Sequence, residues 1–237
     1  MQIKISSTRA NKTMPDCQNT NLPEIILASA SPRRQQILRE MGFTFSVCPS
    51  QAELHPDGSV APARFAALNA ETKARDIARN TRQGLIIAAD TVVVDTLGIL
   101  GKPASPEEAL NYLLRLGGKS HTVISGICVI NTQNGQVRSG TCQSSLHMRP
   151  FTPAEAQRYV ESGLPMDKAG AYGIQDRGFE PVEKIEGCYL NVVGLPACTL
   201  VRLMKEMGFC PELHDNWQPE GDCTLCRIYR TGINQTC

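Results

Sequence analysis

Apolar runs alternate along this chain with segments in which apolar and charged residues recur at helical spacing. Residues 25–28 form a short apolar run typical of a buried strand, and Ser31-Pro32 predicts a helix whose first turn is capped by the serine side chain and which ends at Gly42. Residues 63–80 alternate Ala, Leu and Ile with Arg, Lys and Glu, which predicts a second helix. Residues 85–94 are apolar and rich in β-branched side chains, which predicts a central strand or a strand pair.

The second half of the chain continues this alternation. Residues 121–130 and 135–148 predict two hairpin strands joined at Asn134-Gly135. The remaining predictions are a helix at 106–116, a helix at 152–161 behind Thr152-Pro153, a strand at 182–193 and a final helix at 196–207. Strands and helices that alternate in this way indicate an α/β fold with a mixed sheet.

Composition excludes several classes of protein. Hydrophobic residues make up 41% and charged residues 20% of the chain, and 24 Lys and Arg against 23 Asp and Glu leave a net charge of +1. These values exclude a disordered chain, a collagen-like chain and a polybasic coat for nucleic acid. No apolar run approaches the roughly 18 residues that a membrane span requires. We therefore expect a globular protein whose partners include neither a nucleic-acid polymer nor a membrane.

The two ends of the chain differ from its middle. Residues 1–22 are rich in Ser, Thr and Asn and lack the apolar stretch of a signal peptide, which favours a disordered extension before a domain at 23–208. The ten cysteines are then expected to be reduced, in a cytoplasmic protein. Residues 209–237 form a cysteine-rich tail that we expect to be flexible. The alternative is a structural zinc site drawn from Cys210, His214, Cys223, Cys226 and Cys237.

Polar residues cluster where the first predicted strand meets its helix, in the segment Ser29-Ala30-Ser31-Pro32-Arg33-Arg34. The free N–H groups and the positive dipole of a helix N-terminus attract phosphate. Small serines allow a ligand to approach closely, and arginines add forked donors that match phosphate oxygens. This pattern indicates a phosphate site. The alternative is an ordinary helix cap with solvated arginines.

A second cluster places Asp90 within the apolar strand Ala88-Ala89-Asp90-Thr91. A buried carboxylate is costly unless it is paired, hydrogen-bonded or bound to a metal. The turn that carries Lys102 follows shortly and returns a cation toward Asp90 in one interpretation; in the other, backbone amides satisfy a structural aspartate. From its own helical surroundings, Lys73 is expected to be solvated.

A third cluster, residues 166–175, contains two glycines and no clear period. Loops rich in small residues usually approach a ligand or another backbone closely. The amide of Gln175 offers both a donor and an acceptor, which match the edge of a pyrimidine base.

These clusters together resemble the Maf family of nucleoside triphosphate pyrophosphatases over about residues 25–208. The motifs occur in the order typical of that family. They are LASASPRR at 27–34, ADT at 89–91, LGKP at 100–103, DKAGAYGIQ at 167–175 and VGLP at 193–196.

The resemblance implies a two-lobed, mixed-sheet α/β fold with a long central cleft, as in Maf and inosine triphosphatase proteins. It implies hydrolysis of a nucleoside triphosphate between its α- and β-phosphates, with a divalent cation, Mg²⁺ or Mn²⁺, as cofactor. Asp90 is the expected base or a metal ligand. Lys73 and Lys102 are the other expected catalytic residues and lie around the phosphates, where Ser31, Arg33 and Arg34 are expected to bind the substrate.

The DKAGAYGIQ motif resembles the subgroup that acts on dTTP and UTP, with modified pyrimidine nucleotides as further substrates. This likeness makes Arg33, Thr91 and Gln175 the expected determinants of base specificity. Family members often carry paired acids after the first helix, where this chain has Gln51-Ala52-Glu53-Leu54; Glu53 is therefore the second expected metal ligand.

Two other functions are kept as alternatives. One is a pyrophosphatase for a methylated guanosine triphosphate, against which the intact Ala-Tyr-Gly-Ile-Gln segment argues. The other is a nucleotide-binding regulator of septum formation without turnover, against which Asp90, Lys102 and Lys73 argue, because a pure binder does not need reactive groups. A symmetric homodimer is compatible with such a fold.

Overall fold

The computed structural model describes residues 22–219, 221–222 and 224–230. Its strands are β1 (Ile25–Leu27), β2 (Phe45–Val47), β3 (Leu85–Asp95), β4 (Gly98–Leu100), β5 (Ser120–Asn131), β6 (Gln136–Met148) and β7 (Val182–Glu186). Its α-helices are α1 (Pro32–Glu40), α2 (Pro62–Ala78), α3 (Pro106–Leu116), α4 (Pro153–Glu161), α5 (Tyr189–Val193), α6 (Ala197–Glu206) and α7 (Thr224–Arg230). Two short 3₁₀ turns, Leu164–Asp167 and Ala169–Ala171, lie between α4 and β7.

The strands form one mixed sheet in the order β2-β1-β3-β5-β6-β7, with β4 attached to β3. β1 is parallel to β2 and β3, whereas β3, β5, β6 and β7 pair antiparallel. One edge of β3 pairs with β1 at residues 85–87 and with β4 at residues 93–95. Within the described chain, residues 88–92 between them have no strand neighbour on that edge. The expected α/β mixed-sheet fold is confirmed. The open edge at residues 88–92 faces the cleft described below.

Helix α2 covers one face of the sheet at very short range. Its small residues Ala70 and Ala74 are fully buried against Ile86 and Ala88 of β3. On β5, a Cβ atom placed on Gly126 would lie 2.2 Å from the carbonyl oxygen of Ala66. The backbones of α2 and β5 therefore touch at a point where only glycine fits.

Two apolar clusters occupy the other parts of the molecule. The larger cluster joins α1, α5 and α6 to the first half of β3 and includes Leu27, Leu38, Ile87, Val129, Leu190 and Leu200. The smaller cluster joins α3 and α4 to the far ends of the long strands and includes Val93, Leu113, Val123, Leu146, Tyr159 and Phe179. A cleft lies between the two clusters.

Two local predictions are wrong. The strand expected over 182–193 ends at Glu186, because Gly187 adopts a positive φ of 120° and the chain then turns into α5. Asn191 of α5 accepts from Ser125 N and donates to Val123 O, so tertiary hydrogen bonds override a strand-like composition. In addition, the Ser31 side chain makes no capping bond to α1.

The described part of the tail packs against the protein, so the expectation of a flexible tail is wrong for these residues. Helix α6 is not the last helix, since α7 follows. Leu213, Trp217 and Leu225 pack against the larger cluster, and Cys226 is fully buried in it. This packing depends on contacts with distant parts of the chain, so no local sequence pattern indicates it.

The zinc alternative for the tail has no support among the residues described. Cys223 and Cys237 lie outside them, as do residues 1–21 of the N-terminal extension expected at 1–22. Within the described ranges, no three His, Cys, Asp or Glu side chains are arranged to hold a metal ion. The described helices also include none that is long and apolar enough to cross a membrane.

Candidate active site

The cleft opens at the gap along β3 and encloses about 820 Å³, a volume typical of sites for ligands the size of a nucleotide. The fold brings all of the expected site residues to its walls. They are Ser31, Arg33, Arg34, Glu53, Lys73, Asp90, Thr91, Lys102 and Gln175. The carboxyl end of β1, the N-terminus of α1 and the middle of β3 meet here, as is usual for ligand sites in α/β sheets.

A buried ion pair forms the floor of the cleft. Lys73 Nζ on α2 donates to Asp90 Oδ1 on β3 at 2.7 Å and to Glu53 Oε1 at 3.2 Å. The side chain of Lys73 is 12% exposed and that of Asp90 is 9% exposed, whereas Glu53 is half exposed. The expectation that Lys73 is solvated is therefore wrong, because the close packing of α2 on the sheet places its side chain over the strand.

The loop that carries Glu53 is tied to α2 by two polar contacts. Asn69 Oδ1 accepts from Leu54 N at 3.0 Å, and Ser50 Oγ donates to Asp76 Oδ2 at 2.7 Å. Asn69 is almost fully buried. Sequence reasoning missed this residue, although its spacing of four from Lys73 places both on one face of α2.

Arg34 joins three separate segments at one side of the cleft. Its Nε donates to Gly194 O at 2.9 Å, Nη1 to Ser29 Oγ at 3.1 Å and Nη2 to Thr91 Oγ1 at 3.3 Å. Burial lowers the pKa of Arg34; the charge of Asp90 opposes this shift, and the charge of Arg33 adds to it. A guanidinium has five N–H donors, so Arg34 keeps donors for a ligand while holding the wall together.

Thr91 is fixed by a hydrogen-bond network that crosses the sheet. Its Oγ1 lies 2.8 Å from Ser125 Oγ, which in turn donates to Asn191 O at 3.1 Å. Ser125 and Asn191 are fully buried. Sequence reasoning missed both residues, although each is a polar side chain within an otherwise apolar segment, as Asp90 is.

The first turn of α1 faces the same cleft. The Ser31 hydroxyl does not cap the helix, and Ser31 lines the cleft, so the N–H groups of the first helical turn lie uncapped by this hydroxyl beside the cleft, where an anion would be attracted. Beside it, Arg33 Nη1 donates to Asp167 Oδ2 at 3.2 Å.

Lys102 and Gln175 also line the cleft, and both are exposed. The turn that carries Lys102 is held by Gly170 N, which donates to Gly101 O at 3.0 Å. Among the described residues, Lys102 has no ion-pair partner, so its ammonium group is available to a ligand.

The donor chemistry of the floor fits a divalent cation. The carboxylates of Asp90 and Glu53 converge on the one ammonium group of Lys73, so two oxygen ligands face a common point. Mg²⁺ prefers oxygen ligands and is usually held by one or two carboxylates together with substrate phosphates. The two carboxylates at the floor of the cleft provide ligands of this kind.

The fold and the cleft together define an α/β protein whose cleft of nucleotide size is lined by arginine, lysine and carboxylate side chains. The family model described as Maf-like protein matches residues 24–207. The chain belongs to the Maf family.

Several relatives share this sequence over most of their own length. A dTTP/UTP pyrophosphatase of Dehalococcoides mccartyi strain 195 is 98% identical over 224 residues, covering 94% of this chain and 100% of the relative. Proteins of the same name from Dictyoglomus thermophilum and Pelotomaculum thermopropionicum are 43% and 38% identical. These matches cover 78% and 79% of this chain and 97% and 98% of the relatives.

Proposed function

We propose that this protein is a nucleoside triphosphate pyrophosphatase that hydrolyses dTTP and UTP to the nucleoside monophosphate and pyrophosphate. The observation that carries this proposal is the buried Lys73–Asp90 pair at the floor of a cleft whose walls present cationic groups. The identity of 98% to a relative named dTTP/UTP pyrophosphatase supports the choice of substrate. We also propose that the enzyme acts in the cytoplasm.

The phosphates bind between the first turn of α1 and the turn that carries Lys102. The Ser31 hydroxyl and Arg34 donate to phosphate oxygens from the α1 side, and Lys102 donates to them from its own turn. Held in this way, the triphosphate presents its α-phosphorus to water near Asp90. Positioned cations also stabilise the negative charge that develops during phosphoryl transfer.

Asp90 orients the attacking water and accepts its proton. The water oxygen forms a bond to the α-phosphorus, the anhydride bond to the β-phosphate breaks, and pyrophosphate leaves. Lys73 holds the Asp90 carboxylate in a fixed direction, because its ammonium group donates to Asp90 Oδ1 at 2.7 Å.

Asp90 and Glu53 would hold a Mg²⁺ or Mn²⁺ ion. When bound, such an ion supplies neutralisation of charge on the phosphate oxygens. On the side of the cleft that carries Gln175, the amide of this residue reads the pyrimidine edge, and Arg33 and Thr91 complete the base-specificity set.

Release of pyrophosphate from a panel of nucleoside triphosphates tests the proposal. We expect release to peak on dTTP and UTP, to require Mg²⁺ or Mn²⁺ and to stop with EDTA. A peak on a methylated guanosine triphosphate would support the pyrophosphatase activity but contradict the proposed substrates, dTTP and UTP. Tight nucleotide binding with no release on any substrate would favour the septum regulator.

The variant Asp90→Asn tests the role of the carboxylate. We expect turnover to fall by at least about 100-fold while nucleotide binding, measured by calorimetry, stays within a few-fold. The exposed acid Asp215 provides the matched control, and Asp215→Asn should leave turnover unchanged. Turnover that survives Asp90→Asn would show that another group is the base.

A further inference from the structure

Five polar side chains form a continuous chain across one end of the cleft. Lys168 Nζ at its centre donates to Asp167 Oδ1 at 2.8 Å and lies 3.3 Å from Asp176 Oδ2. Asp167 extends the chain to Arg33 on α1, whose Nη1 lies 3.2 Å from its other carboxylate oxygen. At the other end, the Tyr159 hydroxyl on α4 donates to Asp176. The four charged groups alternate in sign, so each ion has an oppositely charged neighbour.

The middle of this chain is buried, whereas the end formed by Asp167 and Arg33 is open to solvent, with Asp167 60% exposed. The side chain of Lys168 is 9% exposed and that of Asp176 is 15% exposed. An ammonium group that is this buried is stable only when oxygen atoms surround it, and Lys168 Nζ also donates to Leu164 O. Burial alone would raise the pKa of Asp167, but the hydrogen bond from Lys168 and the charges of Arg33 and Lys168 together lower it.

The chain holds the loop that carries Gln175. Gly173 N donates to the Tyr159 hydroxyl at 3.0 Å, and Asp176 N donates to Gly173 O at 3.2 Å. A Cβ atom on Gly173 would lie 2.5 Å from Asp176 Oδ2 and 2.6 Å from Lys168 Cε, so the backbone lies directly on this ion pair. Gln175 itself is exposed, and its position is therefore set by the anchored residues on either side of it.

We propose that Lys168 is a positioning residue for base recognition, which couples Arg33 to the Gln175 loop and so sets the preference for dTTP and UTP over other nucleotides. This inference rests on the proposed function, in which Arg33 and Gln175 read the base. The bonds of Lys168 all go to this side of the cleft, and in the described structure none goes to Asp90 or Lys73.

The variant Lys168→Met tests the proposal, because it removes the charge and keeps an unbranched stem. We expect kcat/KM for dTTP to fall about tenfold, mainly through KM, while the slow turnover of dCTP and dGTP changes by less than about twofold. The specificity ratio, which is kcat/KM for dTTP divided by kcat/KM for dCTP or dGTP, should therefore shrink about tenfold. Lys168→Arg, which restores the charge, should recover part of the ratio.

A double-variant cycle separates positioning from a general structural defect. If Lys168 acts through Gln175, Lys168→Met should change the ratio very little in the Gln175→Ala background. Equal losses on every nucleotide, or losses that add in the double variant, would overturn the proposal. Gln175→Ala alone tests the proposed function: an unchanged ratio there rejects its base assignment, whereas a reduced ratio with a normal ratio in Lys168→Met rejects only the role of Lys168.

Two further variants guard against misfolding. Tyr159→Phe removes only the hydroxyl and keeps the ring that stacks on Phe179, with ring centroids 4.3 Å apart. It should reduce the preference for dTTP over dCTP and dGTP by a smaller factor than Lys168→Met does. If Lys168→Met does not fold, an unchanged preference in Tyr159→Phe would overturn the proposal. Lys119→Met, a substitution of an exposed lysine, is the matched control and should leave the ratio unchanged.

Discussion

Lys73 and Asp90 come from a helix and a strand and meet at 2.7 Å with both side chains largely buried. Each charge makes the burial of the other tolerable, because removing one partner leaves an uncompensated buried ion, at a cost of about 3–5 kcal/mol. Loss of either partner alone should therefore affect the stability of the fold as well as the site. Glu53 extends it toward the open cleft at 3.2 Å.

Lys73→Met should damage stability and activity together. We expect the free energy of unfolding, measured with urea, to fall by about 3 kcal/mol, and turnover to fall by at least about 100-fold. Adding Asp90→Asn should restore part of the stability, because no unpaired carboxylate remains, without restoring turnover. Lys102→Met is the contrasting variant: since Lys102 is exposed, KM for the triphosphate should rise with little change in stability.

Arg34→Lys should weaken the enzyme on all nucleotides alike. Lysine cannot reach Gly194, Ser29 and Thr91 at once, as the fork of the guanidinium does. We expect a loss of about 1–2 kcal/mol in stability and roughly a tenfold to 100-fold lower kcat/KM for dTTP and dCTP. Arg33→Lys, at a residue with a single described hydrogen bond, should preserve stability. Normal stability in Arg34→Lys would contradict the structural role of this network.

Gly126→Ala should separate α2 from the sheet. The new methyl group would lie 2.2 Å from Ala66 O, a backbone atom that cannot move without the helix. We expect a destabilisation of about 3 kcal/mol or more and a large loss of turnover, because Lys73 moves with α2. Gly135→Ala is the control: its Cβ meets open space, and only the positive φ of 71° costs about 1 kcal/mol. Comparable thermal unfolding of the two variants would contradict this prediction.

His121 should make the protein less stable in mild acid. Its Nε2 lies 2.6 Å from the Tyr172 hydroxyl, its Nδ1 has no partner among the described residues, and burial lowers its pKa to about 4. Between pH 6.5 and 4 the unfolded state therefore binds a proton that the folded state does not. Above pH 6.5 the titration of His121 therefore has almost no effect on the free energy of unfolding. Below pH 6.5 it lowers this free energy progressively, by about 2 kcal/mol at pH 5.

Urea unfolding at pH 7 and pH 5 measures this dependence. The drop in unfolding free energy should be smaller in His121→Gln than in the unchanged protein by about 2 kcal/mol. Equal drops in the two proteins would show that His121 is not the group that titrates. The exposed residue His55 offers the matched control, and His55→Gln should keep the full drop.

Local patterns predicted most elements of the fold. The helical spacing of 63–80 and 106–116 and the hairpin at Asn134-Gly135 match α2, α3 and the β5–β6 pair, because these segments satisfy their own backbone hydrogen bonds. The segment 182–193 failed because its composition suits a strand, whereas its hydrogen-bond partners lie on β5. A prediction from neighbouring residues cannot include partners that are distant in sequence.

The sequence by itself determined which residue types line the site, since nine side chains, seven from its motifs and two (Glu53 and Lys73) from the family resemblance, lie on one cleft. Only the tertiary structure decided how they act on one another. Because β1 ends at Leu27, the edge of β3 beyond residue 87 has no β1 partner. The close approach of α2 buries Lys73 against Asp90. Lys168 connects Arg33 to the Gln175 loop through Asp167. The physical reason is that burial and pairing depend on segments that meet in space, so the charge state and direction of a side chain emerge only when the chain has folded.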